Sequence, residues 1–102
     1  MKIVGKKFSV DFGAKAILDI QSETSMTFII TEKGGVKDNE TETVEIEITE
    51  IRPEIFMVTW KEKNGNTVTQ IQDHEKQLVY MNWTWPDGQF KHAKGSIKPF
   101  AG

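Results

Sequence analysis

The sequence predicts an all-β chain, a single small antiparallel up-and-down β-barrel of about eight strands. Three observations carry this reading. Apolar residues recur at every second position far more than at every third or fourth, turn formers punctuate the chain every eight to fourteen residues, and no helical pattern runs longer than about a turn. Short connections allow a sandwich or a barrel; closure removes the edges an open sheet must protect, so a barrel is expected.

Taken in order, Phe8, Val10 and Phe12 alternate with Ser9 and Asp11 before Gly13 breaks the run. Ala16, Leu18 and Ile20 follow, then Met26, Phe28 and Ile30. The segment from Glu32 to Thr41, with Gly34-Gly35 and Asp38-Asn39, reads as the longest loop. Thr43-Val44-Glu45-Ile46-Glu47-Ile48-Thr49 is the clearest strand, because one buried and one wet face require that alternation, and Arg52-Pro53 ends it. Between the runs at 55–61 and 67–73, Asn64-Gly65 is the signal of a two-residue hairpin turn. Such a turn sets Trp60 opposite Thr69, Val58 opposite Ile71 and Phe56 opposite Asp73 on one side, with Met57, Thr59, Gln70 and Gln72 on the other. After the Asp73–Lys76 turn, a three-residue loop would place Val79, Met81 and Trp83 beside Trp60. A four-residue loop would place Leu78, Tyr80 and Asn82 there. Trp85-Pro86-Asp87-Gly88 is a turn, and the last strand runs from Phe90 to Lys98.

Whole-chain quantities narrow the function classes. The 102 residues suit one domain, 1–102, with one core, and 37% hydrophobic, 10% aromatic and 27% charged residues describe a globular chain. No apolar run reaches the length of a membrane span, and Met1-Lys2-Ile3-Val4-Gly5 lacks a signal-peptide apolar region, so a soluble, cytoplasmic protein is expected. The absence of cysteine removes disulfides, thiolate metal sites and cysteine nucleophiles. A net charge of −2 gives no general attraction to nucleic acid or to anionic membrane. Asp38, Glu40, Glu42, Glu45, Glu47, Glu50 and Glu54 crowd one stretch, and Lys91, Lys94 and Lys98 another; both read as solvated strand faces.

An eight-stranded barrel either fills its interior with side chains or holds one small ligand there. Trp60, Trp83, Trp85, Tyr80, Phe56 and Phe90 make the second half rich in aromatic residues, which together with Phe28 serve as core or as pocket wall. The expected pocket wall comprises Phe56, Val58, Trp60, Thr69, Ile71, Tyr80, Asn82 and Trp83, and Gln70 is a further polar group able to orient a ligand. Strands 55–60 and 78–83 are partly apolar on both faces, so a second contact surface is expected, most simply that of a homodimer.

His74 and His92 stand in no metal-ligand spacing, Asp73 reads as a turn-bonding carboxylate, and no metal or cofactor is expected. Nucleophile elbows, phosphate loops and dinucleotide fingerprints are absent, so no catalytic residue is assigned. Glu62 or Asp73, with a pKa raised near Trp60, would be the seat of an untypical enzyme. A basic face from Lys6, Lys7, Lys91, Lys94 and Lys98 lacks evident stacking aromatics and the overall balance is acidic, so no nucleic-acid partner is expected.

The stretch Phe56-Met57-Val58-Thr59-Trp60-Lys61-Glu62, followed by Gly65-Asn66-Thr67-Val68, Asp73, Val79-Tyr80, Asn82 and Pro86-Asp87-Gly88-Gln89-Phe90, resembles the MoaF-like proteins. These form a lipocalin-like (calycin) group named after a molybdenum-cofactor biosynthesis protein. Gly5-Lys6-Lys7-Phe8-Ser9-Val10-Asp11-Phe12 and Gly95-Ser96-Ile97 extend the likeness over most of the chain. The resemblance implies a small calycin-type barrel and assigns no reaction. Relatives often carry histidine where this chain has Gln70, so no histidine chemistry is inherited at that position. Calycin-like phenolic acid decarboxylases use paired tyrosines with an arginine and a glutamate. This chain has one tyrosine, Tyr80, and one arginine, Arg52, in a turn. A barrel binding a small apolar or aromatic ligand is therefore the leading expectation. A packed interaction module is the alternative, and an atypical enzyme the third.

Overall fold

Each alternating run becomes one strand of the computed structural model, which describes residues 2–100; Met1, Ala101 and Gly102, the ends of the expected domain, lie outside the described residues. The strands are β1 (Lys6–Asp11), β2 (Lys15–Ile20), β3 (Ser25–Lys33), β4 (Val36–Arg52), β5 (Ile55–Lys61), β6 (Thr67–Asp73), β7 (Leu78–Thr84) and β8 (Phe90–Pro99). Every strand pairs antiparallel with its sequence neighbours, and β1 closes the barrel on β8 with Val10 opposite Ile97. The expected closed, up-and-down, all-β barrel is the architecture. No helix among the described residues is long and apolar enough to cross a membrane.

Alternation explains the core. Phe8 and Val10, Leu18 and Ile20, Met26 and Phe28, Val44 and Ile46, and Phe56, Val58 and Trp60 all turn inward, while the residues between them face out.

Two expectations are corrected. The segment 32–41 is no loop: β3 and β4 continue into a long hairpin whose Lys33 and Val36 pair across Gly34-Gly35. Both glycines have positive φ, 59° and 81°, which the two-residue turn requires, so the polar residues beyond it belong to a strand with few neighbours to bury against. The second correction is one of register. Gly65 N–H donates to Glu62 O and Glu62 N–H to Asn66 O, a three-residue loop in which Gly65 alone takes positive φ. The extra loop residue slips the hairpin by one, so Trp60 faces Val68, Val58 faces Gln70 and Phe56 faces Gln72. Thr69, Ile71 and Asp73 therefore point outward. The next loop has four residues, pairing Asp73 with Leu78, and the two effects offset one another: Val79, Met81 and Trp83 join the Trp60 side, while Tyr80 and Asn82 stay outside.

The two barrel ends differ. At one, the segment before β1 folds over the opening: Gly5 N–H donates to Ile20 O, buried Ile3 joins the core, and Lys2 Nζ meets Glu54 Oε1 at 2.9 Å. Glu54 itself sits with Pro53 in the β4–β5 turn at positive φ, 71°. The other end, framed by the β1–β2, β3–β4, β5–β6 and β7–β8 turns, has no such cover among the described residues.

Candidate functional site

The uncovered end leads into a cavity of about 430 Å³, within the range of small-molecule sites. All eight strands contribute to its wall: Val10, Ala16 and Leu18, Phe28 and Ile30, Glu40 and Glu42, Trp60, Gln70, Met81 and Trp83, and Lys91. It is thus the bore of the barrel. A larger hollow of about 670 Å³ at the covered end draws only on β1, β5 and β8 plus turn and terminal residues, with exposed Lys2, Lys6 and Lys7 around it. That hollow lies partly outside the barrel around the Ile3 cover, and we place the candidate site in the bore.

Its middle is apolar and aromatic. Trp60 is 7% exposed and stands 6.5 Å from the Phe28 ring; Trp83 stacks at a tilt on Phe12 with centroids 5.3 Å apart. Toward the mouth the wall becomes charged. Glu40 and Glu42 share the inward face of Val44 because they are even-numbered neighbours on β4, and Glu62 crosses from the hairpin. Glu62 Oε2 accepts the Trp60 indole N–H at 3.3 Å. Burial, with Glu42 and Glu40 nearby, raises the Glu62 carboxyl above the usual carboxylate range despite that bond. Asn64, Asn66, Lys33 and Lys91 complete the rim.

The floor is polar. Gln70 and Gln72 are fully buried on the inward face of β6, flanked by Val58 and Phe56 on one strand and Met81 and Val79 on the other. Gln72 Nε2 donates to Gln70 Oε1, and His74 Nε2 lies 2.9 Å from Gln72 Oε1. Gln70 Nε2, at the bore, has no hydrogen-bond partner among the described residues. Such a group costs free energy unless something pairs with it.

Of the expected wall residues, Trp60 and Trp83 line the bore. Phe56 and Val58 face inward but are packed below the cavity. Thr69, Ile71, Tyr80 and Asn82 lie instead along an outer, almost wholly apolar groove with Ala93 and Lys94, the consequence of the one-residue slip. Lys94 Nζ sits 5.7 Å from the Tyr80 ring centroid there. Asp73 Oδ1 accepts from Lys76 N–H, holding the turn. The first-half wall, Leu18, Phe28 and Ile30, and the rim carboxylates Glu40 and Glu42 are absent from the expected set. The signal for them is parity with Ile20, Met26 and Val44 in the same strands.

Fold and cavity together define a small closed antiparallel barrel with an apolar bore open at one end. The chain belongs to the MoaF-like family, which matches it over residues 4–98. Among solved structures it is similar to a crystal structure described as a "putative beta-lactamase from Burkholderia vietnamiensis", with a TM-score of 0.88 and 22% identity over 98% of this chain and 97% of that one. At that identity the likeness is one of fold. No curated protein matches the chain.

Proposed function

We propose that this protein, in the manner of a lipocalin-like barrel, holds a small, largely apolar or aromatic molecule in its bore, acting in the cytoplasm without a cofactor. The observation that carries the reading is the open cavity of about 430 Å³ between Trp60, Trp83, Phe28 and Met81. Packed barrels of this strand number fill that space. Among the described residues the wall presents carboxylates, amides and lysines but no serine, cysteine or histidine, so ligand holding is preferred to the beta-lactamase reading in the Burkholderia protein's description.

Native mass spectrometry of gently purified protein, with a naphthalene-class probe titrated against tryptophan fluorescence, tests it. Extra mass lost on unfolding, or saturable quenching that Trp60→Ala removes, supports the reading. A bare species that no probe quenches overturns it.

The outer groove favours a second reading, a homodimer through β6, β7 and β8. Tyr80 is 41% exposed beside Ile71 and Ala93, and symmetric dimers are the commonest oligomers. Sedimentation of wild type and Tyr80→Glu at matched concentration tests it, a monomer in both cases overturning it.

A further inference from the structure

We infer that the bore takes a ligand bearing a hydrogen-bond acceptor, a carbonyl or carboxylate-type oxygen, and that His74, the first residue after β6, is the positioning residue holding the floor as a donor. The ligand half rests on the proposed binding function; the relay through β6 stands or falls without any ligand.

Gln70 and Gln72 share the inward face of β6 at two-residue spacing, and His74, in the turn that follows, continues the row through its contact with Gln72. The cross-strand neighbours of the two glutamines are apolar: Val58 and Met81 beside Gln70, Phe56 and Val79 beside Gln72. Each amide therefore finds its partners along the row. In the observed arrangement His74 Nε2–H donates to Gln72 Oε1, Gln72 Nε2 to Gln70 Oε1, and Gln70, a residue of the bore's lining, keeps its Nε2 buried with no acceptor among the described residues. The reverse sense is also self-consistent: Gln70 donates to Gln72, Gln72 donates to a bare His74 Nε2, and Gln70 Oε1 takes the unpaired position. That sense requires neutral His74 carrying its proton on Nδ1. An imidazolium has hydrogen on both nitrogens and permits only the first, so protonation locks the floor as a donor.

The groups around His74 set where this happens. Its ring lies 4.7 Å from that of Phe8 on β1 and 5.9 Å from that of Phe56 on β5, centroid to centroid. Glu54 approaches from the β4–β5 turn, where its backbone O accepts His74 N–H and its carboxylate is held by Lys2; Asp73 adjoins on β6, Lys6 approaches from β1, and β8 presents Ile97 to the same hollow, with Lys7 at its edge. Burial outweighs the two carboxylates and lowers the imidazole pKa below its usual range. Near neutrality both senses are open to His74, and acidification selects the donor floor.

Side-chain amide and imidazole nitrogen spectra of the full ligand-free chain, recorded across pH, test the relay. The Gln70 and Gln72 NH₂ signals are expected to move with the His74 midpoint, and in Gln72→Met the Gln70 signal becomes invariant while His74 still titrates. A Gln70 signal that ignores His74 in wild type, or follows it in Gln72→Met, overturns the relay. For the ligand, acetylnaphthalene is expected to bind roughly tenfold tighter than isopropenylnaphthalene, which has the same shape without the acceptor, and Gln70→Met erases the difference. The acetyl preference should widen as pH falls through the His74 midpoint. Equal affinity for both probes overturns the acceptor assignment. Failure of both to bind while the amide signals respond overturns the ligand reading and leaves the relay.

Discussion

Gln72 Nε2 donates to Gln70 Oε1 between two side chains with no exposed surface, in a strand flanked on both sides by apolar residues. Removing one partner strands the other. Gln72→Met leaves Gln70 Oε1 and His74 without their partner, and a loss of about 1–3 kcal/mol is expected in urea unfolding. The double replacement Gln70→Met/Gln72→Met removes both amides at nearly constant shape and should cost less than the sum of the singles, by at least about 0.5 kcal/mol. Strict additivity would mean that the two amides do not bond in solution.

Trp60→Ala separates a hollow barrel from a packed one. Truncating a large buried aromatic costs about 3–5 kcal/mol when atoms surround it. One side of the Trp60 wall already faces the cavity, so a loss below about 3 kcal/mol is expected, together with loss of probe binding. A full-sized stability loss would mean that the bore is filled by side chains in solution.

Two ionisable groups give opposing pH dependences of stability. His74 has its folded pKa lowered, so between that value and the ordinary 6.5 the unfolded chain binds more protons; stability falls as pH drops below about 6.5 and levels off below the folded pKa. Glu62 has its folded pKa raised above 4.5, so the folded chain binds more protons in its window, and stability from this residue rises as pH falls through that raised value toward 4.5. Glu62→Gln should therefore raise Tm at pH 7 by an amount that shrinks toward pH 4.5. Thermal melts of both proteins across that range check this, and a constant offset would show that the carboxyl is not buried as a charge.

The fold is legible because period-two alternation is a local property of the chain. Strand identity and the inward set Phe56, Val58 and Trp60 follow from it, while closure follows from the need to leave no exposed sheet edge. The site is half legible, because which residue faces Trp60 depends on a single loop residue. Asn64-Gly65 fits a two-residue turn as well as the three-residue loop that forms, and the choice moves Thr69 and Ile71 outside and brings Gln70 and Gln72 in. A clue lies in Pro86-Asp87-Gly88, where Gly88 N–H donates to Trp85 O and Trp85 N–H to Gln89 O in the same pattern. Two buried glutamines look like a solvated face until the register is known. The polar β3–β4 tip reads as a loop for a related reason, since its strands extend beyond the core that makes alternation visible.

Closure itself rests on Gly95. It lies on β8 opposite Val79, on the inward side, where β8 approaches the end of β1. A Cβ there would collide with Asp11 O and lie 2.8 Å from both Asp11 C and Phe12 Cα. These are backbone atoms and cannot rotate away, so Gly95→Ala must part β1 from β8, and a loss of about 3 kcal/mol or more is expected. Gly88 offers the contrast: it has positive φ, 90°, and a Cβ added there would meet open space, so Gly88→Ala should cost only about 1–2 kcal/mol of backbone strain. Urea unfolding of the two variants checks the ranking. If Gly88→Ala proved the more damaging, the β1–β8 seam would be looser than this register requires, and the bore would have a second way in.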